Sequence, residues 1–180
     1  VLAKKELGPN GVRVLFNVVL PPYQAFLGKK TIEGLKTFEG LKVRTSGSAK
    51  ELAVRKLGAV PIQMSTPEVY EALSRGTIDG MLFPFSSIYS YDLQGLLKSA
   101  TVGENLGSFI VAYMISERKW KTLSPEVQKA MTEAGDLTTR TGCQITQATE
   151  VADRDRLKAL GVTLVELDAA DKAKVRDGMA

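Results

Sequence analysis

Short apolar runs broken by Gly, Pro, Ser and Thr alternate along this chain with stretches of helical spacing. The run from Gly11 to Leu20 (GVRVLFNVVL) is rich in β-branched residues and nearly continuous in apolarity. It predicts a buried strand of a parallel or mixed sheet, closed by Pro21-Pro22. Thr31 to Lys36 predicts a short helical turn or loop feeding a strand from Leu41 to Arg44. Thr45-Ser46-Gly47-Ser48 follows as a loop of small residues, and Ser48 with Glu51 has the S-x-x-E pattern of a capping box. The helix it opens, Ala49 to Leu57, would bury Ala49, Leu52, Ala53 and Leu57 and end at Gly58. Val60 to Met64 predicts another strand. Thr66-Pro67-Glu68 starts a helix, with Thr66 as N-cap and Val69, Ala72 and Leu73 inward, until Gly76. Ile78 to Phe83 returns as a strand, and Phe83-Pro84-Phe85 closes it.

The second half is simpler. Lys98 to Val102 and Ser108 to Ser116 read as strands, and Ser124-Pro125 opens a long helical pattern. Val127, Met131, Ala134, Thr138, Thr141, Ile145, Ala148 and Ala152 recur at steps of four and three. If continuous to Leu160, the helix is about 54 Å long. Gly135 and Gly142 are candidate kink positions. The weakly apolar seam fits packing across two lobes or against a second subunit. Val162 to Leu167 predicts a strand and Ala169 to Met179 a last helix. Strands alternating with helices imply βαβ crossovers and an α/β fold with a mixed sheet and flanking helices.

In open α/β sheets ligands collect beyond the carboxyl ends of the strands, near helix N-termini that favour anions. Arg44 stands at such a place, and a guanidinium there is a fork for a carboxylate or phosphate. The competing interpretation is a surface arginine ending a strand. Tyr23, at the mouth of the first strand, is a candidate ligand contact or a partly exposed loop residue. Phe83 lines the same crevice or belongs to the core.

Composition narrows the chemistry. The chain has 180 residues, 44% hydrophobic and 24% charged, with a net charge of +4 and no long Lys/Arg run. That is the balance of an ordinary globular protein and not of a nucleic-acid surface. No apolar stretch approaches the roughly 18 residues a membrane span needs. Histidine is absent, which removes Ser-His-Asp triads, Cys-His pairs and imidazole metal sites. Cys143 is the single cysteine, so no internal disulfide forms. Neither metal nor cofactor is expected. Localisation is not legible in the first residues, where Val1 to Gly8 resembles the end of a helix.

Leu41-Lys42-Val43-Arg44, Leu57-Gly58-Ala59-Val60-Pro61, Met64 to Tyr70, Ala72-Leu73 and Ile78-Asp79-Gly80 resemble, in order and spacing, the DctP-type solute-binding proteins of TRAP (tripartite ATP-independent periplasmic) transporters. Val111 to Leu123 and then Ser124 to Gln128 match the same family's strand-then-long-helix segment. The resemblance covers roughly Gly11 to Ala180. It implies a type II periplasmic-binding-protein-like fold: two α/β lobes, a cleft, and a long helix (here about 125–160) bracing both. It also implies that residues 1–180 hold most of the second lobe and the hinge-crossing strands, with the first lobe mostly absent.

The function implied is periplasmic capture of an organic acid and its delivery to membrane permease subunits, without catalysis, by a monomer or by a homodimer formed through the long helix. By that resemblance Arg44 carries the family's carboxylate salt bridge. Tyr23 and Phe83 shape the pocket, and Ser46 and Thr66 add hydrogen bonds. Family members for C4-dicarboxylates or sialic acid often have a second arginine where Tyr23 stands, and an asparagine in place of Phe83. One arginine with aromatic walls therefore points to a monocarboxylate with an apolar or aromatic body. The alternative is the effector-sensing domain of a LysR-type transcription regulator, which shares the bilobal fold. An enzyme ranks third, because Glu68 and Asp79 are better explained as a helix-start acid and a turn acid.

Overall fold

The computed structural model describes residues 3–177, which divide into two compact units. One comprises Pro21–Ser108 and Thr149–Ala180, the other Val1–Leu20 and Phe109–Ala148. The boundary falls inside the long helix. The predicted end of the last helix, at Met179, lies outside the described residues.

The first unit is built on six strands: β2 (Gln24–Leu27), β3 (Lys42–Thr45), β4 (Val60–Gln63), β5 (Gly80–Phe83), β6 (Ser99–Thr101) and β8 (Thr163–Val165). Their order is β4-β3-β5-β2-β6-β8. β3 is parallel to β4 and β5, β6 is parallel to β8, and β2 runs antiparallel between β5 and β6. The mixed sheet expected from the sequence is therefore present, but its centre was not foreseen. β2 is four residues long and wholly buried. Pro21-Pro22 on one side and Gly28-Lys29-Lys30 on the other make its surroundings read as loop. Tyr23 consequently sits immediately before β2 and does not hang from the end of β1.

Three helices belong to this unit: α1 (Ser48–Lys56), α2 (Val69–Ser74) and α5 (Ala169–Arg176). The expected Ser48–Glu51 capping box does not form: Ser48 is already inside α1, behind Gly47 at φ 146°, and no side chain caps the end. The box sits one helix later. Ser65 is the N-cap, its hydroxyl bonded to Glu68, and the Glu68 carboxylate accepts the Ser65 N–H at 3.1 Å. Of the expected inner face of α1, Ala53 and Leu57 are buried, Leu52 is instead 45% exposed, and the Ala49 side chain lies outside the described residues; Val54 and Lys50 are buried as well.

The core joins Phe26, Leu73, Met81, Phe83, Phe85 and Leu157. Asp79 and Gly80 fasten its middle. The Asp79 carboxylate accepts the Lys42 N–H at 2.8 Å, which ties the start of β3 to the start of β5. Gly80 faces Leu27 across the ladder, and a β-carbon there would collide with the Phe26 carbonyl.

The second unit pairs β1 (Val12–Val19) antiparallel with β7 (Ile110–Ser116), beside α3 (Glu117–Trp120). Phe16 and Tyr113 stack with ring centroids 5.2 Å apart. Contrary to expectation, β1 is not buried in a larger sheet: β7 is its one partner among the described residues, and no residue of β1 is fully covered. Ile110, Tyr113 and Met114 are likewise exposed on β7.

The helix α4 (Pro125–Ala159) has 35 residues, close to the predicted span. Its covered face follows the expected seam only in part: Met131, Thr138 and Thr141 are half-buried, but Val127 is 44% exposed and Ile145 64%. Gly135, Gly142, Thr146, Asp153 and Leu157, outside that seam, turn inward as well. Gly135 admits the Leu15 carbonyl and Gly142 the Val18 side chain, so these glycines mark where β1 lies against the helix. Thr138 and Thr146 donate their hydroxyls to carbonyls one turn back, at 2.8 and 2.7 Å, which satisfies them without outside partners.

Gly80→Ala should lower stability by about 1–3 kcal/mol, because the added methyl forces β2 away from β5. Urea unfolding followed by circular dichroism measures this; an unchanged midpoint would contradict the close packing.

Candidate functional site

Arg44 is the largest side chain that the fold encloses almost completely, at 2% exposure. It lies in the middle of a parallel triplet, opposite Ile62 of β4 and Met81 of β5. Its side chain emerges near the carboxyl ends of all three strands. The guanidinium donates from Nε to the Met64 carbonyl at 3.0 Å and from Nη2 to the Thr66 hydroxyl at 3.0 Å. Beneath it lies the Phe83 ring, 4.9 Å from Cζ to the ring centre. No carboxylate among the described residues pairs with it. Burial pushes its pKa down, opposed by the nearby Tyr23 and Tyr91 hydroxyls.

The one-residue displacement of the helix cap has a chemical consequence. Since Ser65 caps the turn, the Thr66 side chain is released from that duty and accepts from Arg44. Ser46, Gln63, Thr66 and Glu68 line, with Arg44, a recess of about 410 Å³. A larger surface groove, about 740 Å³, lies elsewhere against Leu35, Gly58 and Asp171. Its walls mix Glu33 and Glu39 with Lys36 and Lys56, so it offers no concentrated charge of one sign.

Aromatic rings surround the guanidinium. Tyr23 tilts against Phe83 with centroids 6.4 Å apart, and Tyr91 meets the same ring edge-on at 5.9 Å. Tyr23 is held from behind: its N–H donates to the Gly107 carbonyl at 2.8 Å. Gln24 next to it bonds Thr101 and the Glu104 backbone. Phe83 is fixed from the far side, because Glu150 on α4 accepts the N–H groups of Phe85 and Ser86 at 3.0 and 2.7 Å. Burial raises the pKa of that carboxyl, partly offset by those two bonds.

The other four residues singled out from the sequence, Tyr23, Ser46, Thr66 and Phe83, thus lie around the Arg44 guanidinium. Phe83 belongs to the core and to this surface at once. Two further residues were missed. Tyr91 stands on a short 3-10 turn (Tyr89–Tyr91) that has no periodic signal. Lys50 carries no expectation from the sequence. It is 5% exposed, and its Nζ lies 4.7 Å from the centre of the Tyr23 ring. Beside the one arginine expected, Lys50 adds a second cation at the aromatic pair. A signal was available, since Lys50 begins the 50-53-54-57 stripe that marks the buried face of α1.

A mixed α/β sheet with one very long helix is an arrangement this chain shares with solved periplasmic solute-binding proteins. Residues 5–180 match the DctP family, bacterial extracellular solute-binding protein family 7, and the chain belongs to that family. Relatives include the C4-dicarboxylate-binding periplasmic protein DctP of Rhodobacter capsulatus, 36% identical over 104 residues, which cover 55% of this chain and 31% of the relative. The sialic acid-binding periplasmic protein SiaP of Vibrio cholerae is 29% identical over 144 residues, 77% of this chain and 44% of the relative. The chain therefore spans less than half the length of these curated relatives.

Among solved structures, a TRAP periplasmic solute-binding protein of Bordetella bronchiseptica with bound (R)- and (S)-mandelate is similar, with a TM-score of 0.86 and 29% identity. The match covers 98% of this chain and 57% of that one. A marine-metagenome TRAP solute-binding protein specific for aromatic acid ligands, in complex with meta-hydroxyphenylacetate, gives 0.84 and 26%, over 92% and 54%.

The Ser65–Glu68 box makes a pH-dependent contribution. The Ser65 hydroxyl, then its N–H, hold the Glu68 carboxyl below its ordinary 4.5. A depressed native pKa stabilises above the unfolded value, and that stability is lost as pH falls through the native one. Wild type should therefore exceed Glu68→Gln in stability at pH 7, with the gap closing as the pH drops below 4.5. Urea titrations across that range test it; a gap independent of pH would contradict the assignment.

Proposed function

We propose that this chain is the carboxylate-holding part of a TRAP transporter's periplasmic solute-binding protein. It captures an organic acid outside the cytoplasm and hands it to membrane permease subunits. The observation that carries this is the enclosed Arg44 guanidinium, supported by Met64, Thr66 and Phe83 and paired with no carboxylate among the described residues. A buried cation is costly without a counter-charge, and a ligand carboxylate is the counter-charge this geometry fits. Thr66 and Met64 orient the guanidinium and Ser46 lines the same recess. Tyr23, Phe83 and Tyr91 provide flat apolar faces for a carbon skeleton.

Those faces favour a monocarboxylate with an aromatic or apolar body over a compact dicarboxylate. In support, two similar solved proteins hold mandelate and meta-hydroxyphenylacetate. No bond is made or broken in this role, and no cofactor or metal takes part. The regulator alternative finds no support, since the solute-binding family model extends over residues 5–180.

The exposed apolar side chains on the two faces of the β1–β7 pair, Ile110 at 57% and Tyr113 at 60%, are read as surface that the remainder of a longer protein covers. Exposed large apolar side chains grouped in this way often mark such contacts. Pairing of α4 with a second copy is the competing cover, and sedimentation of the protein in solution separates the two.

Calorimetric titration with (R)-mandelate tests the proposal. Arg44→Ala should weaken binding about 10–100-fold, the worth of a charge-assisted hydrogen bond of ~1.5–3 kcal/mol. Arg44→Lys should recover only part, having lost the bidentate fork. Equal affinity in wild type and Arg44→Ala would overturn it.

A further inference from the structure

Part of the aromatic wall at Arg44 is carried by a stretch with little regular structure of its own. From Phe85 to Leu96 the chain makes three short 3-10 turns, Phe85–Ser87, Tyr89–Tyr91 and Gln94–Leu96. Turns this short close few hydrogen bonds and do not keep a fixed shape unaided. Asp92, at the end of the second turn, has a left-handed backbone with φ 54°, the one such non-glycine residue among those described. A side chain persists in that conformation only where its surroundings hold it. Yet this stretch supplies Tyr91, which is 41% exposed and meets the Phe83 ring edge-on at 5.9 Å.

The last turns of α4 provide the hold. Glu150 is half-buried, and its two carboxylate oxygens are divided between successive backbone groups. Oε1 accepts the Phe85 N–H at 3.0 Å, and Oε2 accepts the Ser86 N–H at 2.7 Å. Such N–H groups at the start of a helical turn have no acceptor within it, and an ionised carboxylate is the strongest kind of outside partner. One turn further on, Asp153 is 4% exposed and accepts from Arg156 Nη1 at 2.8 Å. The Arg156 guanidinium lies over the Tyr89 ring, 3.7 Å from its centre, a favourable cation–π contact. Between these polar grips, Leu157 packs in one core with Phe85, Ile88 and Leu93. α4 thus holds the stretch at Phe85 and Ser86 and again at Tyr89, two residues before Tyr91.

We propose that Glu150 is a positioning residue for this wall, holding Tyr91 against Phe83 beside the guanidinium and so giving the site its preference for acids with an aromatic body. This rests on the carboxylate role assigned above to Arg44 and extends it. Arg44 recognises the charge, and the rings that Glu150 holds select the carbon skeleton. With both oxygens engaged on the backbone, Glu150 acts on a ligand only through those rings. The physical reason is preorganisation: a ring already fixed packs on an aromatic ligand with little further loss of freedom, whereas a loose ring must be ordered first. An acid whose body is a single methyl group touches the wall too little to register the difference.

The test uses (R)-mandelate and (R)-lactate, two 2-hydroxy acids that differ in a phenyl against a methyl group. Both are titrated calorimetrically into the 180-residue chain and into any longer form its gene encodes, lactate by displacement of mandelate. Wild type should prefer mandelate about tenfold or more. Glu150→Ala should cut that preference about fivefold or more, with lactate affinity changed less than about twofold. Glu150→Gln, which keeps one acceptor oxygen, should fall between the two. Tyr91→Ala should show the same loss as Glu150→Ala, and the double variant no greater loss, because both act through one ring. Thermal unfolding confirms that each variant folds, and Glu150→Gln carries the comparison if Glu150→Ala does not. The readout is the ratio of the two acids, which a general loss of folded protein leaves unchanged.

If the Glu150 variants keep the wild-type ratio, weaken both acids equally, or add their effect to that of Tyr91→Ala, the Glu150 proposal is overturned. The Arg44 reading then stands, provided that Arg44→Ala loses both acids. A wild type without preference for mandelate overturns the Glu150 proposal too, and again leaves the charge recognition by Arg44 in place. If neither acid binds any form, or Arg44→Ala changes nothing, the Arg44 reading fails and this proposal falls with it.

Discussion

A guanidinium enclosed within a sheet-and-helix unit, with no internal carboxylate to balance it, is the constraint around which the rest is arranged. Removing a charge from water costs several kcal/mol even after relaxation. Two hydrogen bonds, to Met64 and Thr66, and the face of Phe83 offset part of that for Arg44. The remainder is a standing demand for an anion. Each supporting group is itself held from elsewhere: Thr66 by the Ser65–Glu68 box beside it, and the segment after Phe83 by Glu150. The sheet order places β3 between two parallel neighbours, so the arginine backbone cannot drift.

The proposed carboxylate site shares its residues with the core that stabilises the fold. Phe83 packs in the hydrophobic core and also presents the surface on which Arg44 lies. Tyr23 is anchored by the Gly107 carbonyl and shares its ring with Lys50. A ligand that lodges against these rings meets a preorganised wall, and little ordering is left to oppose association. A solute-binding protein gains from this, since its affinity must come from fixed groups and not from chemistry performed on the cargo.

Much of the unit around Arg44 was legible because its signals are local. Gly58, Pro67, Gly76 and Gly80 punctuate it, and the strands and helices between them follow the apolar spacing. What escaped was decided by tertiary contacts. Ser48-x-x-Glu51 and Ser65-x-x-Glu68 are the same local pattern, yet only the second forms a box. At the first, Gly47 at a positive φ of 146° leads the chain into α1 with no side-chain cap. β2 escaped because four residues between prolines and a glycine carry no period; burial on both faces and two neighbouring strands make it a strand. On α4 the apolar seam misled in part, since the helix turns Gly135 and Gly142 toward β1, where close backbone approach outweighs hydrophobicity. Lys50 escaped because a charge is presumed solvated, and only the fold reveals it among the buried positions of α1.

The central claim is electrostatic: the site recognises negative charge on the ligand, not merely its shape. Thermal unfolding in the presence of (R)-mandelate, set against its primary amide, isolates that one property. The acid should raise the midpoint in proportion to the logarithm of its concentration above Kd, and the amide should leave it unmoved. Equal shifts with both compounds, or none with the acid, would contradict the account.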